Sequence, residues 1–189
     1  MLAKSSLNEI SFDKSIVLND NELKLLKNDR FILNKLVNDD YLDVNICSVI
    51  LHDQDIDEEI GQLKTPHYHV AIRFNKKFMN KSVIERLVEL FHINENQITI
   101  KKLSSLESYT RYLIHLDDGD KHPYLPFDIV TNNQDFVNDC LKNICIKDEK
   151  HCLEVVKRFH YHYEDIIVNV VNWKKYNSLI KDFIRMRGL

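Results

Sequence analysis

Residues 67–74 read HYHVAIRF, and residues 44–51 read VNICSVIL. Both stretches are rich in β-branched and aromatic residues and are bounded by polar ones, which predicts two strands. The acidic segment between them contains Gly61 and predicts a loop. If the strands pair as antiparallel neighbours, the end of the first lies beside the start of the second. This pair is the centre of the predicted fold.

Further strands and helices are predicted on both sides of this pair. SIVL (15–18) and QITIKKL (97–103) are typical of strands. Helical spacing predicts three helices, at 22–37 after Asp20 or Asn21, at 81–91 after Asn80, and at 105–116 after Ser104 or Ser105 with Glu107 in a capping box. The order β-α-β-β-α-β-α predicts an α+β fold, an antiparallel sheet with helices on one face in a ferredoxin-like or RRM-like arrangement.

The pattern beyond residue 131 is helical only. Apolar residues recur at helical spacing from Leu153 to Ile184. We therefore predict two units, residues 1–130 and a small all-helical C-terminal appendage of residues 131–189. The appendage is expected either to mediate oligomerisation or to pack onto its own sheet.

The composition is that of an ordinary globular protein. Of the 189 residues 44% are hydrophobic and 29% are charged. The three glycines, Gly61, Gly119 and Gly188, lie far apart, so the glycine-rich loops of P-loop NTPases and Rossmann enzymes are excluded. No apolar run approaches the ~18 residues of a membrane span, and the first residues lack a signal-peptide pattern. The expected location is the cytoplasm.

The charge is unevenly distributed along the chain. The net charge is −3, but nine Lys and Arg face only four Glu between Lys64 and Arg111. An acidic run lies just before this segment, at residues 53–59. A basic surface next to clustered carboxylates could hold a phosphate backbone and a divalent cation together. The alternative is a solvated surface of mixed charge.

Histidines at the predicted strand ends form a candidate metal site. On a strand, His67 and His69 point to the same face. Antiparallel pairing would place His52, and with it Asp55, beside them. Three imidazoles and a carboxylate suit Mn²⁺, Mg²⁺ or Zn²⁺, and the alternative is that His52 and Asp55 only cap a turn. A second HYH, at 160–162, lies in a helical pattern where its two rings would diverge, so we interpret it as structural.

Aromatic residues recur on the predicted helix after the last strand. Tyr109, Tyr112 and His115 are spaced i, i+3 and i+6, so they are expected to share one broad helix face. The alternative is ordinary aromatic packing on an amphipathic helix.

Three stretches together resemble a known family. ILHDQD (50–55), KTPHYHVAIRF (64–74) and YTRYLIHLDDGDKHPY (109–124) are similar to the three motifs of plasmid rolling-circle replication initiators, the Rep proteins of small Gram-positive plasmids in the HUH endonuclease superfamily. The resemblance covers roughly residues 44–136. It implies an HUH nuclease fold, a metal, Mn²⁺ or Mg²⁺, and a catalytic Tyr112, because that tyrosine begins YLIH. The implied metal ligands are His52, Asp55, His67 and His69.

The resemblance also implies an activity. Residues 1–130 would bind a plasmid or phage origin, as a hairpin or a single-stranded nick site, and would nick and rejoin one strand through a 5′-phosphotyrosine. The implied partners are origin DNA and the host helicase and polymerase, with a homo-oligomer left open and no membrane. A phenol with a pKa of ~10 is a poor nucleophile at neutral pH, and His115, Glu107 and a metal-bound hydroxide are open as its base.

Several alternatives stand beside this interpretation. Tyr109 is a competing nucleophile, although two-tyrosine HUH enzymes usually space the pair by four residues rather than three. Lys101, Lys102 and Arg111 are predicted phosphate contacts, with solvated side chains as the alternative. An HUH relaxase or transposase is the nearest rival enzyme. A non-catalytic nucleic-acid-binding module would need exposed aromatics on central strands, where Tyr68 and Phe74 are too few.

Overall fold

A sheet of five strands carries the four helices that the structure describes. The structure is a computed structural model, and it describes residues 13–19, 29–118, 121–122, 124–142 and 185. The strands are β1 (Asp13–Asn19), β2 (Val44–His52), β3 (His67–Phe74), β4 (Ile98–Lys102) and β5 (Val130–Thr131). The helices are α1 (Asp29–Val37), α2 (Asn80–Phe91), α3 (Leu106–Leu113) and α4 (Gln134–Lys142).

The strands lie in the order β4-β1-β3-β2-β5, and every neighbouring pair is antiparallel. The connection from β1 to β2 passes over one strand position, and β3 fills that position between them. The predicted α+β class with an antiparallel sheet is confirmed. The ferredoxin-like, RRM-like and HUH labels stay predictions.

Helices cover both faces of the sheet, so the predicted single helical face is wrong. Apolar residues of α1 and α2 pack with Tyr68, Val70 and Ile72 on one face. Apolar residues of α3 and α4 pack with Ile50 and Ala71 on the other. The physical reason is that β2 and β3 are apolar or buried at nearly every position, and strands of that kind need cover on both faces.

Two predicted helix caps differ from the structure in detail. Asn80 is the first residue of α2 rather than its cap, and its side-chain oxygen accepts a hydrogen bond from Lys14 at 2.6 Å. At α3 the cap is Ser105, whose hydroxyl accepts the N–H of Ser108 at 3.0 Å and donates to the carboxylate of Glu107 at 2.8 Å. Glu107 therefore supports the cap side chain and does not complete a capping box.

Part of the prediction falls outside the described residues. The start of the first predicted helix, the second HYH and most of the predicted helical appendage lie there. Within the described part of the appendage, Val137 and Leu141 of α4 belong to the core under α3. The division into two domains stays a prediction. None of the helices in the described part of the chain combines the length and the apolar character that crossing a membrane requires.

Asn132 extends the short pairing of β5 with β2 by means of its side chain. Its side-chain oxygen accepts the N–H of Cys47 at 2.8 Å, and its side-chain nitrogen donates to the carbonyl of Asn45 at 3.1 Å. The backbone N–H of Asn132 donates to the carbonyl of Cys47 at 3.2 Å. The Asn132 side chain thus makes the hydrogen bonds to β2 that the backbone of a further β5 residue would otherwise make.

We expect Asn132→Ala to lower the free energy of unfolding by about 1–3 kcal/mol, because it leaves the N–H of Cys47 without its acceptor. Urea unfolding followed by circular dichroism measures this. Asn34→Ala, at an exposed position of α1, is the control and should leave stability unchanged or slightly raised, because alanine favours helix. Equal stability of Asn132→Ala and the wild type would contradict the assignment.

Candidate metal and nucleophile site

The register of the sheet brings three histidines to one place. His52 on β2 lies opposite His67 on β3, and His69 follows two residues along β3. Strand alternation points all three side chains to the face that α3 covers, and all three are buried. Asp55, just after β2, joins them, and one ligand atom from each of the four residues lies within 4.8 Å of the others. The structure thus brings the four predicted residues together, and this His/Asp cluster could hold a metal ion.

Backbone carbonyls fix which nitrogen carries the lone pair in two of the rings. Nε2 of His52 lies 2.7 Å from the carbonyl oxygen of Leu113, and Nδ1 of His67 lies 2.9 Å from that of Thr65. Because a carbonyl oxygen only accepts, each ring donates an N–H there. In the neutral rings the lone pairs are therefore on Nδ1 of His52 and Nε2 of His67.

These lone pairs point at the other candidate ligand atoms. Nδ1 of His52 lies 3.1 Å from Oδ2 of Asp55. Nε2 of His67 lies 3.9 Å from the same oxygen and 3.1 Å from Nε2 of His69. Ligand atoms this close together can share a cation, and separations near 3 Å suit neighbouring ligands of one ion with bonds of about 2.1 Å. The donor set therefore fits a divalent ion.

Burial keeps the imidazoles of His67 and His69 neutral, and the neighbouring histidines keep the Asp55 carboxyl ionised. Burial lowers the pKa of His67, and burial together with the neighbouring imidazoles lowers the pKa of His69 to about 2. Burial on its own would raise the pKa of the Asp55 carboxyl, but the hydrogen bond and charge that His52 supplies when its Nδ1 is also protonated hold that pKa well below its usual range. Metals bind neutral imidazoles and ionised carboxylates, and the cluster offers both.

Tyr124 supports the cluster from outside, and sequence reasoning did not single it out. Its ring stacks on that of His52, with the centroids 4.3 Å apart. Its hydroxyl accepts the N–H of Gln54 at 3.0 Å and donates to Oδ1 of Asp55 at 3.4 Å. The only signal for Tyr124 in the sequence is its place at the end of the third motif, in KHPY (121–124). Histidine and tyrosine are common in functional sites, but nothing else there indicates a role.

The helix α3 presents two tyrosines to the cluster. The rings of Tyr109 and Tyr112 stack with centroids 5.3 Å apart, and the ring of Tyr112 meets that of His69 edge-on at 5.8 Å. The Tyr112 phenol therefore lies on the same face of the sheet as the histidines. The hydroxyl of Tyr109 lies 2.9 Å from Nδ1 of His69, and burial raises the pKa of Tyr109.

Lys121 contacts Tyr112 and was also missed by sequence reasoning. Its ammonium group donates to the Tyr112 hydroxyl at 3.1 Å and lies 4.8 Å from the centre of the ring. It also pairs with the carboxylate of Asp118 at 3.2 Å. Burial would lower the pKa of Lys121, but its bond to the Tyr112 hydroxyl and the neighbouring charges raise it. A cation is thus held against the Tyr112 oxygen.

The turn after α3 places His115 differently from the prediction. α3 ends at Leu113, so His115 lies beyond the helix rather than on its face. Its φ is 52°, its N–H donates to the carbonyl of Tyr112, and the next N–H reaches back to Arg111. This is the Schellman pattern that usually takes glycine at this position, and another residue there costs roughly 1–2 kcal/mol.

The His115 side chain gives a reason for that strain. Its ring packs 4.6 Å from that of His52 and 5.3 Å from that of Tyr112, between centroids. Its Nδ1 donates to the carbonyl of His122 at 2.7 Å. Burial lowers its pKa to about 4. The imidazole therefore stays neutral and packs between His52 and Tyr112. A glycine at this position has no side chain to fill that space.

The predicted phosphate contacts do not form one patch. Lys101 and Lys102 are both exposed on β4, but they alternate across the sheet. Lys101 pairs with Ser15 and Lys102 with Lys14, so only Lys101 shares the face of the histidines. Arg111 on α3 is paired with Asp117 at 3.0 Å.

Comparison with known families agrees with the geometry. The sequence model of the family described as plasmid replication protein, origin binding domain, matches residues 33–137. That range is more than half of the chain and contains β2, β3, the His/Asp cluster and α3. The chain belongs to the family of plasmid replication protein origin-binding domains, and the predicted resemblance is confirmed at this level.

Individual relatives carry the same name in several bacteria. A replication protein of Staphylococcus aureus is 28% identical over 110 residues, 57% of this chain and 51% of that protein. One of the onion yellows phytoplasma is 30% identical over 93 residues, 44% of this chain and 23% of that protein. Replication protein RepB of Lactiplantibacillus plantarum is 31% identical over 93 residues, 48% of this chain and 39% of that protein. The chain spans about half or less of the length of these relatives.

We expect Mn²⁺ to raise the melting temperature of the protein, because an ion that binds only the folded state stabilises it by about 2.7 kcal/mol at a hundredfold excess over Kd. Differential scanning fluorimetry with Mn²⁺ and Mg²⁺, reversed by EDTA, measures this. His67→Gln should abolish most of the shift. His92→Gln, at an exposed position after α2, should keep it. A wild-type protein that neither ion stabilises would argue against a metal site.

Proposed function

We propose that this protein initiates plasmid replication by nicking and rejoining one strand of origin DNA through a phosphotyrosine on Tyr112. The single observation that carries the proposal is the placement of the Tyr112 phenol, between the His/Asp cluster and the ammonium of Lys121. The family match supports the more general part of the proposal, because the family is described as an origin-binding domain of plasmid replication proteins. The relatives named as replication proteins support the same role.

His52, Asp55, His67 and His69 would hold the ion, Mn²⁺ or Mg²⁺. When bound, a divalent ion would offset the negative charge that develops on the non-bridging oxygens of the scissile phosphate. The protein's own contribution is to bury the three imidazoles, to hold Asp55 beside them, and to orient His52 and His67 by the carbonyls of Leu113 and Thr65. Outer partners of this kind fix the tautomer and direction of a ligand ring.

The Tyr112 oxygen acts as the nucleophile. Its proton is released to water, and the resulting phenolate is stabilised by the charge-assisted hydrogen bond from Lys121. The phenolate oxygen forms a bond to phosphorus while the bond from phosphorus to the 3′ oxygen breaks. The 3′ oxygen takes a proton from water and becomes a 3′-hydroxyl, and the 5′ phosphate stays on the tyrosine. Rejoining is the reverse, with Lys121 stabilising the departing phenolate.

The proposal also assigns a role in binding DNA. Lys101 lies on the face of the cluster, and Arg111 lies on the helix that carries Tyr112, so both are proposed phosphate contacts. Lys102 alternates to the other face, and its proposed phosphate contact would lie away from the nick site. Oligomerisation through the C-terminal appendage and association with a helicase and a polymerase are further proposals.

We expect Tyr112→Phe to abolish the covalent adduct, because it removes the nucleophilic oxygen and leaves the ring in place. A single-stranded oligonucleotide carrying the origin nick site is incubated with Mn²⁺, and the adduct is detected on a denaturing gel and its tyrosine identified by mass spectrometry. Tyr109→Phe should still form the adduct at saturating Mn²⁺. Adduct formation by Tyr112→Phe would show that the assignment is wrong, and no nicking by the wild type would favour a non-catalytic binding module.

Lys121→Met should slow cleavage by roughly tenfold to a thousandfold, the usual effect of removing one stabilising donor from a developing anion. Lys121→Arg should recover part of the rate, because it keeps a cation near the Tyr112 oxygen. Single-turnover cleavage measures both variants. Lys77→Met, at an exposed lysine after β3, is the matched control. If Lys121→Met cleaves at the wild-type rate, Lys121 has no part in the reaction.

A further inference from the structure

We propose that Tyr109 is a positioning residue of the metal site, whose hydroxyl holds the Nδ1 side of His69 and directs Nε2 of that ring toward the ion. The inference rests on the metal site of the proposed function. It concerns the residue that the sequence offered as a competing nucleophile. The contact that carries it is the 2.9 Å separation between the Tyr109 oxygen and Nδ1 of His69.

Each of the three histidines of the cluster has a partner on the nitrogen turned away from its neighbours in the cluster. For His52 it is the carbonyl of Leu113, and for His67 it is the carbonyl of Thr65. For His69 it is the hydroxyl of Tyr109. Outer partners of metal-binding histidines are usually carboxylates, carbonyls or water, and losing one typically lowers metal affinity by 10–100-fold. By position Tyr109 belongs to this set.

A hydroxyl differs from a carbonyl because it can both donate and accept. Without an ion, Nε2–H of His69 can donate to the lone pair of His67 Nε2, 3.1 Å away, while Tyr109 donates to Nδ1. With an ion, Nε2 must offer its lone pair, so Nδ1 carries the proton and donates to the Tyr109 oxygen. The ring loses one proton to water and gains one from water, with no net change. A carbonyl at this position would forbid the first arrangement.

The surroundings of Tyr109 suit this role better than that of a nucleophile. Its hydroxyl also lies near the side chain of Ser15, a buried residue of β1. The oxygen is therefore held between a strand and a histidine ring. The oxygen of Tyr112, by contrast, meets the lysine side chain of Lys121. One helix thus carries two tyrosines with different tasks.

The same helix reaches the cluster at two points. Tyr109 contacts His69, and the carbonyl of Leu113 accepts from His52. Tyr112 lies between these two residues in the helix. An ion that fixes both histidines therefore also fixes the segment that carries the nucleophile. Loss of the Tyr109 hydroxyl removes one of these two contacts between α3 and the cluster. It should therefore weaken the effect of a bound ion on the position of Tyr112.

The test is a Mn²⁺ titration of the full chain by isothermal calorimetry. Tyr109→Phe should weaken Mn²⁺ binding by about 10–100-fold, with the far-ultraviolet circular dichroism spectrum unchanged. Tyr41→Phe makes the same chemical change at an exposed tyrosine and should bind Mn²⁺ as the wild type does. Wild-type affinity in Tyr109→Phe would overturn the inference.

Two further measurements separate positioning from simple loss of packing. Long-range ¹H–¹⁵N spectra of His69 should show the Nδ1–H tautomer on loading the wild type with diamagnetic Mg²⁺ or Zn²⁺, and a failure to change tautomer would overturn the inference. In cleavage assays Tyr109→Phe should need about 10–100-fold more Mn²⁺ but approach the wild-type rate at saturation. A rate that stays low at saturation would contradict a positioning role.

The outcomes also distinguish this inference from the proposed function. If the wild type binds no Mn²⁺, the metal site itself fails. If Tyr112→Phe still forms the adduct, the nucleophile is wrong whatever the affinity of Tyr109→Phe. If the wild type binds and cleaves and Tyr109→Phe binds equally well, only the role of Tyr109 fails.

Discussion

The antiparallel register that sets His52 opposite His67 is the constraint on which the site depends. Because side chains alternate along a strand, a slip of one residue would turn His52 to the other face and separate it from His67 and His69. The register is held by apolar side chains on both faces of β2 and β3, which pack under helices on each side. The core therefore specifies the site, although it contributes no ligand. Burial then does a second task, since it keeps the imidazoles of His67 and His69 neutral.

The helix α3 brings the proposed nucleophile, Tyr112, to this cluster. It packs through Leu106 and Leu113 onto the same face of the sheet, and its last turn supplies the carbonyl that orients His52. The helix ends there in a strained turn, where His115 occupies a position that favours glycine. The strain is compensated by a buried ring between His52 and Tyr112. Placing a side chain at such a turn is typical of functional sites.

The central strands and the cluster were predictable, because they rest on local pattern. β3 begins and ends at the predicted residues, His67 and His69 share a face because of the period of two along a strand, and antiparallel pairing adds His52. Features that depend on packing between distant segments were not predictable. Nothing in the sequence near Asn80 shows that its side-chain oxygen will accept a hydrogen bond from Lys14. Lys121 and Tyr124 come from a segment with few periodic apolar residues, and only the fold brings them to Tyr112 and Asp55. The prediction placed helices on one face of the sheet only. β2 and β3 are apolar at most positions, and such strands need helices on both faces.

The charge of the site explains how a chain with a net charge of −3 could act on DNA. With the imidazoles neutral, as metal binding requires, and the carboxylate ionised, the four ligands would have a charge near −1 by themselves, which would repel a phosphate. A divalent ion would turn this to about +1, and the ammonium of Lys121 adds a second positive charge at the Tyr112 oxygen. The reacting groups of the proposed cleavage, a phosphodiester and a phenolate, would each carry one negative charge. The attraction is then local to the place of reaction, where burial strengthens it, and the surface elsewhere can remain acidic. In the proposed reaction a bound ion would therefore determine whether a phosphate is attracted to the site, as well as how fast it reacts.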